Sequence, residues 1–400
     1  MKNVLLITRG FPVGNHEKGF LQTEYRYLKQ NFNVRILSIL SKEEEISDCD
    51  DADIIVENNH ISLRCILRQL ISTRVIQEII KAKRNCKFLK WFRRCKAILS
   101  YSVRSEGVEG VIERIVDTYG IDLIYTYWCT PATVAALRVK ERRNHLKVIT
   151  RFHGFDLYAD RNKAEWQSFR EYIVENTDGL FFACNEAKRY FTSLYFCGNK
   201  ANVAYLGTEE RRKLCPQNRK HLKIISCSTT KPEKRVELIA DVVYRLSEKI
   251  SVEWIHIGGD MLQFEKLDEA KIIYSFCGQL NHQSVINKFI EYRPDLFITL
   301  SLSEGGVPVS IQEAFSMGVP AVGTCVGGIP EIITNDNGIL VDVNDSADII
   351  ANKIIGYANL SNQKKQMYSE KAYLTWERKF NASTNAERFI NQLNMIMERG

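Results

Sequence analysis

The sequence predicts an α/β protein made of two Rossmann-like, doubly wound parallel-sheet domains, and three observations carry that expectation. Short β-branched runs alternate with stretches of helical period, the pattern of parallel strands joined by crossover helices and covered on both faces. The runs form two series, at 3–8, 33–39, 121–127, 147–152 and 179–184, and again at 223–227, 252–258, 272–276, 295–300 and 319–324. Between them lies a polar stretch from Gly207 to His221, with Glu209, Glu210, Arg211, Arg212 and Lys213 followed by Pro216, composed as a linker is. A chain of 400 residues, 45% of them hydrophobic, is long enough for two cores.

Taken in order, Val4-Leu5-Leu6-Ile7 is too short an apolar run for a signal peptide and reads as a first strand. The loop Arg9–Phe20 follows, with Gly10 and Gly14. It lacks the G-x-G-x-x-G spacing, which disfavours a nicotinamide or flavin site.

The segment from 62 to 105 breaks the alternation and reads as a basic helical pair inserted in the first domain. Between Arg64 and Arg104 stand twelve Lys/Arg against one acid, Glu78, together with Phe88, Trp91, Phe92 and Tyr101. The net charge of +7 therefore comes from this stretch. A solvated helical face competes with a docking surface for anionic lipid headgroups, to which each cation contributes ~1 kcal/mol. No nucleic-acid recognition fold accompanies the charge, so nucleic acid is not an expected partner.

No run approaches the ~18 apolar residues of a membrane span, so the expected location is cytoplasmic, peripheral at most on the inner face of the plasma membrane. The 11 cysteines include no C-x-x-C pair, which fits free thiols in a reducing compartment, and no metal site is expected.

Ligands of open α/β sheets bind beyond the carboxyl ends of the strands, so the loops there are the candidate site. In the first domain that places His153 within Arg151-Phe152-His153-Gly154-Phe155-Asp156. A lone histidine is more often structural, and Asp156 is read as orienting its loop. In the second domain, Thr229-Thr230-Lys231-Pro232-Glu233-Lys234-Arg235 follows the first strand, and Lys234 and Arg235 are cations suited to a leaving diphosphate. Further on, Ser303-Glu304-Gly305-Gly306-Val307-Pro308 opens a helix that carries Glu313. A glycine loop at a helix start offers unpaired N–H groups and a positive dipole end, which suits phosphate, while the two glutamates can accept hydrogen bonds from hydroxyls.

These stretches, with Gly318-Val319-Pro320 and Gly327-Gly328-Ile329-Pro330-Glu331, resemble the signature of the retaining glycosyltransferases of family 4, the glycosyl transferases group 1 of GT-B architecture. The resemblance runs through most of the chain and fails at 40–110. It implies a domain 1–206 for the acceptor, a domain 207–379 for the nucleotide sugar, and a terminal helix over 380–400 returning to the first. It implies catalytic roles for His153, beside the transferred sugar, for Lys234 on the phosphates and for Glu304 at the donor sugar. Glu313 would hold the ribose, Gly278 would face the nucleobase, and Gly10, Gly14, Arg235, Gly305, Gly306 and Val307 would complete the donor site.

Two departures stand out. The family has seven residues between its glutamates where this chain has eight, and its arginine a few residues before the lysine is replaced by Ser228 or Thr229. The implied activity is retaining transfer of a sugar from a UDP- or GDP-linked donor to a hydroxyl of a saccharide or lipid-linked saccharide, in envelope or extracellular polysaccharide synthesis. No cofactor beyond that co-substrate is expected. A sugar-nucleotide epimerase of the same architecture and a catalytically silent nucleotide-sugar-binding subunit are the alternatives.

Overall fold

The structure, a computed structural model, describes residues 1–399 apart from 14–16, 41–53, 59–62, 85, 215 and 218. The chain divides into two compact units, one of residues 1–204 with 386–400 and the other of residues 205–385.

The first unit runs β1 (Asn3–Thr8), α1 (Lys18–Asn31), β2 (Asn33–Leu40), β3 (Ile54–Asn58), α2 (Leu63–Leu70), α3 (Thr73–Ala82), α4 (Phe88–Tyr119), β4 (Leu123–Thr126), α5 (Pro131–Lys140), β5 (Lys147–Phe152), α6 (Arg170–Asn176), β6 (Gly179–Phe182), α7 (Asn185–Leu194) and β7 (Ala201–Val203). Its seven strands are parallel in the order β3-β2-β1-β4-β5-β6-β7. The inner strands β1, β4, β5 and β6 are buried almost throughout, because helices cover both faces of a parallel sheet.

The second unit runs β8 (Leu222–Cys227), α8 (Val236–Ser247), β9 (Val252–Ile257), α9 (Glu265–Glu269), β10 (Ile273–Phe276), α10 (His282–Tyr292), β11 (Leu296–Thr299), α11 (Val309–Ser316), β12 (Ala321–Thr324), β13 (Gly338–Val341), α12 (Ala347–Ala358) and α13 (Asn362–Lys379). Its order is β10-β9-β8-β11-β12-β13, again all parallel. Trp254, Val243, Leu246, Ile298 and Ile354 belong to its core. The last helix, α14 (Ala382–Glu398), enters the first unit from Ala386 onward. There Phe389 packs 5.3 Å from Tyr125 and 5.0 Å from Phe181, ring centre to ring centre.

In each sheet the strand order reverses once, between β1 and β4 in the first unit and between β8 and β11 in the second. Crossovers on either side of such a point leave the sheet in opposite directions, and the loops at the strands' carboxyl ends splay apart to leave a crevice.

The basic segment is three helices rather than a pair. Ser72 precedes α3 in extended conformation and separates it from α2. The next helix, α4, does not stop near 105 but continues to Tyr119, because Val108, Ile112, Ile115 and Val116 prolong a buried stripe that packs on α5. Gly120, in the left-handed conformation, ends it. Among the described residues no helix is long and apolar enough to cross a membrane.

Candidate functional site

In the second unit the loops of the switch point hold Lys234 and Glu304. Lys234 ends a turn, Pro232–Lys234, that follows β8, and Glu304 lies in the loop after β11. The Leu302 amide donates to the Glu233 carbonyl over 2.8 Å, which ties the loops together. Across that tie the Lys234 ammonium stands 2.5 Å from Glu304 Oε1. Beyond Glu304 come Gly305, Gly306 and Val307, whose amides make no hydrogen bond to another described residue. They lead into α11, whose first amides are unpaired as in any helix. Phosphate placed here would meet an ammonium, open N–H groups and the positive end of a helix.

The loop is held open by its neighbours. Gly327, with φ of 53°, lies so close to the Glu304 carbonyl oxygen that a Cβ would stand 2.5 Å from it, and a Cβ on Gly328 would stand 2.6 Å from the Val307 nitrogen. The Gly328 amide donates to the Gly306 carbonyl. Buried Gln312 donates from Nε2 to the Val307 carbonyl over 3.0 Å. The glycine pair and the glutamine thus set the shape of the 304–307 segment with the additional residue in place.

Glu313 is buried on α11 and hydrogen-bonded to His282 Nε2. That bond, against the cost of partial burial, raises the imidazole pKa above its usual 6.5. His282 begins α10, capped by Asn281 Oδ1 on the Ser284 amide. Gly278, four residues earlier, has φ of 62° and open space where a side chain would be. Sequence reading passed over His282, since nothing along the chain links it to a residue 31 positions away.

Arg235 is not brought to the Lys234–Glu304 pair. Its Nε donates to the Leu300 carbonyl at 2.5 Å and its Nη1 to the Val343 carbonyl at 2.7 Å, so the guanidinium braces the end of β11 against the segment after β13.

In the first unit His153 stands in the loop after β5, the strand next to β4. The ring packs 4.3 Å from Trp128 and 4.8 Å from Tyr127, centre to centre. Its Nε2 is 3.2 Å from the Tyr127 carbonyl oxygen, which can only accept, so Nε2 carries the proton and Nδ1 is left an acceptor. Burial first, and then the nearby Arg151 guanidinium, push the imidazole pKa down to about 3, so it is uncharged at neutral pH. Asp156 orients the loop by accepting from the Cys129 and His153 amides, both at 2.9 Å. Burial raises its pKa to about 6 despite those bonds.

Glu17 is a second residue not singled out in the sequence. Buried at the head of α1, it accepts from the Arg9 amide at 3.1 Å, the Phe11 amide at 2.8 Å and the Trp128 indole N–H. One carboxylate thereby joins the loop after β1 to the loop after β4. Gly10 is buried in the first of these loops, and Gly14 lies outside the described residues.

Residues 221–359 match the family model described as glycosyl transferases group 1. Over 270 residues, 63% of this chain and 70% of the relative, the sequence is 20% identical to N-acetyl-alpha-D-glucosaminyl L-malate synthase of Bacillus anthracis. Over 129 residues, 32% of this chain and 36% of the relative, it is 32% identical to the O-antigen biosynthesis glycosyltransferase WbnH of Escherichia coli. The fold matches Anabaena HepE in complex with UDP-glucose at a TM-score of 0.65, with 14% identity, over 99% of this chain and 100% of that one. The chain is a glycosyltransferase of GT-B fold, and the glycosyl transferases group 1 model matches the greater part of its second unit.

Proposed function

We propose that the protein is a retaining glycosyltransferase of family 4 that moves a sugar from a nucleotide diphosphate to a hydroxyl of a saccharide or lipid-linked saccharide, in envelope or extracellular polysaccharide synthesis. The observation that carries this reading is the Lys234–Glu304 pair beside the open amides of Gly305, Gly306 and Val307 at a topological switch point. An arriving diphosphate competes with Glu304 for one ammonium, so Lys234 turns to the phosphates and Glu304 is released to accept from hydroxyls of the donor sugar. Glu313, oriented by His282, accepts from the ribose.

As the bond from C1 to the diphosphate oxygen breaks, negative charge grows on that oxygen, and Lys234 with the loop amides offsets it. The acceptor oxygen bonds to C1 on the same face and its proton passes to the departing phosphate oxygen, which retains the configuration without a protein nucleophile. Neutral His153 supports the reacting sugar by accepting a hydroxyl hydrogen bond at Nδ1. Uridine is favoured over guanosine as the donor base by the UDP-glucose held by HepE, and the O-antigen relative favours a polysaccharide product.

The polybasic helices are proposed to dock the enzyme on an anionic membrane. Their cations are accompanied by exposed apolar side chains, Leu67, Leu70 and Ile71 on and after α2, Ile76 and Ile80 on α3, and Phe88, Leu89 and Phe92 on α4. Cations beside exposed large apolar groups favour an interface with one wet and one oily side.

A thermal-shift panel of UDP- and GDP-sugars, followed by proton NMR of the product formed with the stabilising donor, tests the reading. The expected result is a shift with one donor and the donor's own anomeric configuration in the product. Inversion at C1 overturns retention, and conversion of the donor with no acceptor present overturns transfer in favour of epimerisation.

A further inference from the structure

The first unit contains a cavity of about 1000 Å³ to which the transfer reaction above assigns no part. One wall is a single face of α4, where Arg93, Lys96, Ser100, Tyr101 and Arg104 recur at helical spacing. The opposite side is the start of α5 at Cys129–Pro131, and the loop from Asn162 to Ser168 closes it with Lys163 and Trp166. Phe155 and Asp156 complete the lining, and they belong to the loop that carries His153.

The charge of this cavity is one-sided. Arg93, Lys96, Arg104 and Lys163 line it, and none of them forms an ion pair within 4.0 Å of a carboxylate among the described residues. Lys83, Arg84, Lys87 and Arg114 also lack an ion pair among the described residues but lie outside the lining, and the other described cations of the segment are engaged. Arg68 pairs with Glu106, Arg74 with Glu141, Lys81 with Glu171 and Lys90 with Glu165, while Arg94 is buried, donates to the Ala82 carbonyl and lies 4.9 Å over the Trp166 ring. Asp156 is the one acid in the lining, and both its oxygens are held by backbone amides. Unpaired cations converging on one space leave a repulsion that a multiply charged anion relieves, and the start of a helix adds to the attraction. Phosphate alone would fill little of this volume. Tyr101, Phe155 and Trp166 add ring faces of the kind that hold sugars and alkyl chains.

We propose that this cavity is the acceptor's anion site: it binds a phosphate group borne by the acceptor saccharide and so delivers the neighbouring hydroxyl toward the His153 loop. The proposal rests on the glycosyltransferase reading and narrows its acceptor to phosphate-bearing saccharides. The phosphate can belong to a soluble sugar phosphate or to a linkage between saccharide and lipid. Exposure of Phe88, Leu89 and Phe92 at the front of the same helix puts an oily surface near the cavity for the second case.

Calorimetric titration of the full chain with two probes tests this, glucose 1-phosphate for the soluble source and dihexanoyl phosphatidic acid below its micelle concentration for the lipid source. The wild type should bind at least one of them saturably, and the tighter probe identifies the source. The variant Arg93→Gln/Lys96→Gln/Arg104→Gln, in exposed positions that do not hold the fold, should lose about tenfold or more, as expected when charge-assisted bonds to phosphate are removed. A control of equal kind outside the cavity, Lys83→Gln/Lys87→Gln, should lose less than about twofold, since exposed charges at a distance are screened. Lys234→Ala should leave this binding unchanged. No saturable binding of either probe, equal loss in the control, or loss in Lys234→Ala instead of the cavity variant would overturn the proposal. If the phosphate probes bind as expected but no nucleotide does, the donor reading falls and the cavity stands. In the converse case only the cavity assignment falls.

Discussion

His282 and Glu313 make a pair whose proton belongs to the proposed donor site. The hydrogen bond to Glu313 raises the imidazole pKa above 6.5, while Arg211 lowers it and Glu209 raises it as flanking charges. A raised folded value means the contribution to stability is complete below about pH 6.5 and fades as pH rises through the folded pKa. Nucleotide affinity should follow the same sense, weakening above that pKa as the imidazolium that orients Glu313 loses its proton. Calorimetry from pH 6 to 9 should give a falling affinity for the wild type and a lower, flat one for His282→Gln. A flat wild-type profile would remove His282 from the site. His153 is the opposite case. Held down at about 3, it stays neutral over the working range, so His153→Ala should lower turnover by about 10²-fold, the scale of one lost transition-state contact, with little change in donor affinity. Normal turnover in that variant would leave His153 a loop residue held by the Tyr127 carbonyl and the Trp128 ring.

At the scale of elements, the glycine pair 327–328 sets the shape of the 304–307 loop. A Cβ at 328 would stand 2.6 Å from backbone atoms of Gly306 and Val307, which have no flexible side chain to yield. Gly328→Ala should therefore displace the 304–307 loop, costing about 1–3 kcal/mol of stability as overpacking does. Its nucleotide affinity should fall by more than its melting temperature alone explains. Unchanged nucleotide binding would show that the loop's position is immaterial. The sequence announced this region well, because strand, glycines and helix follow one another within a few residues. The central strands were equally legible from unbroken apolar runs, since they are buried on both faces.

What escaped is what has no local signal. Strands β3, β7 and β13 are sheet edges, paired on one side only, and no long apolar run marks them in the sequence, although the edge strand β10 was legible. Glu17 and His282 are defined by partners 111 and 31 positions away, Trp128 and Glu313. Arg235 looked like a phosphate ligand beside Lys234, but its left-handed backbone, with φ of 49°, starts α8 on a different heading from the preceding turn. Its side chain leaves with the helix and finds the Leu300 and Val343 carbonyls.

For the whole molecule, the proposed role of the three basic helices is to hold the enzyme on an anionic surface. Flotation with phosphatidylglycerol-rich vesicles should be reduced by Arg84→Gln/Lys87→Gln and by salt, as attraction beyond ~8 Å is screened. Phe88→Ser/Leu89→Ser/Phe92→Ser should abolish the part that survives high salt. Equal binding to neutral vesicles would sink the electrostatic share, and full binding by the serine variant would sink the apolar one. The claim beneath all of these is that the second unit holds the nucleotide-diphosphate donor at the Lys234–Glu304 switch point. Calorimetric titration of UDP and GDP against wild type, Lys234→Ala and Glu313→Gln tests it without knowledge of the acceptor. The account predicts tight binding of one diphosphate, UDP by preference, and a loss of about tenfold or more in each variant. Equal affinity in all three proteins would contradict it.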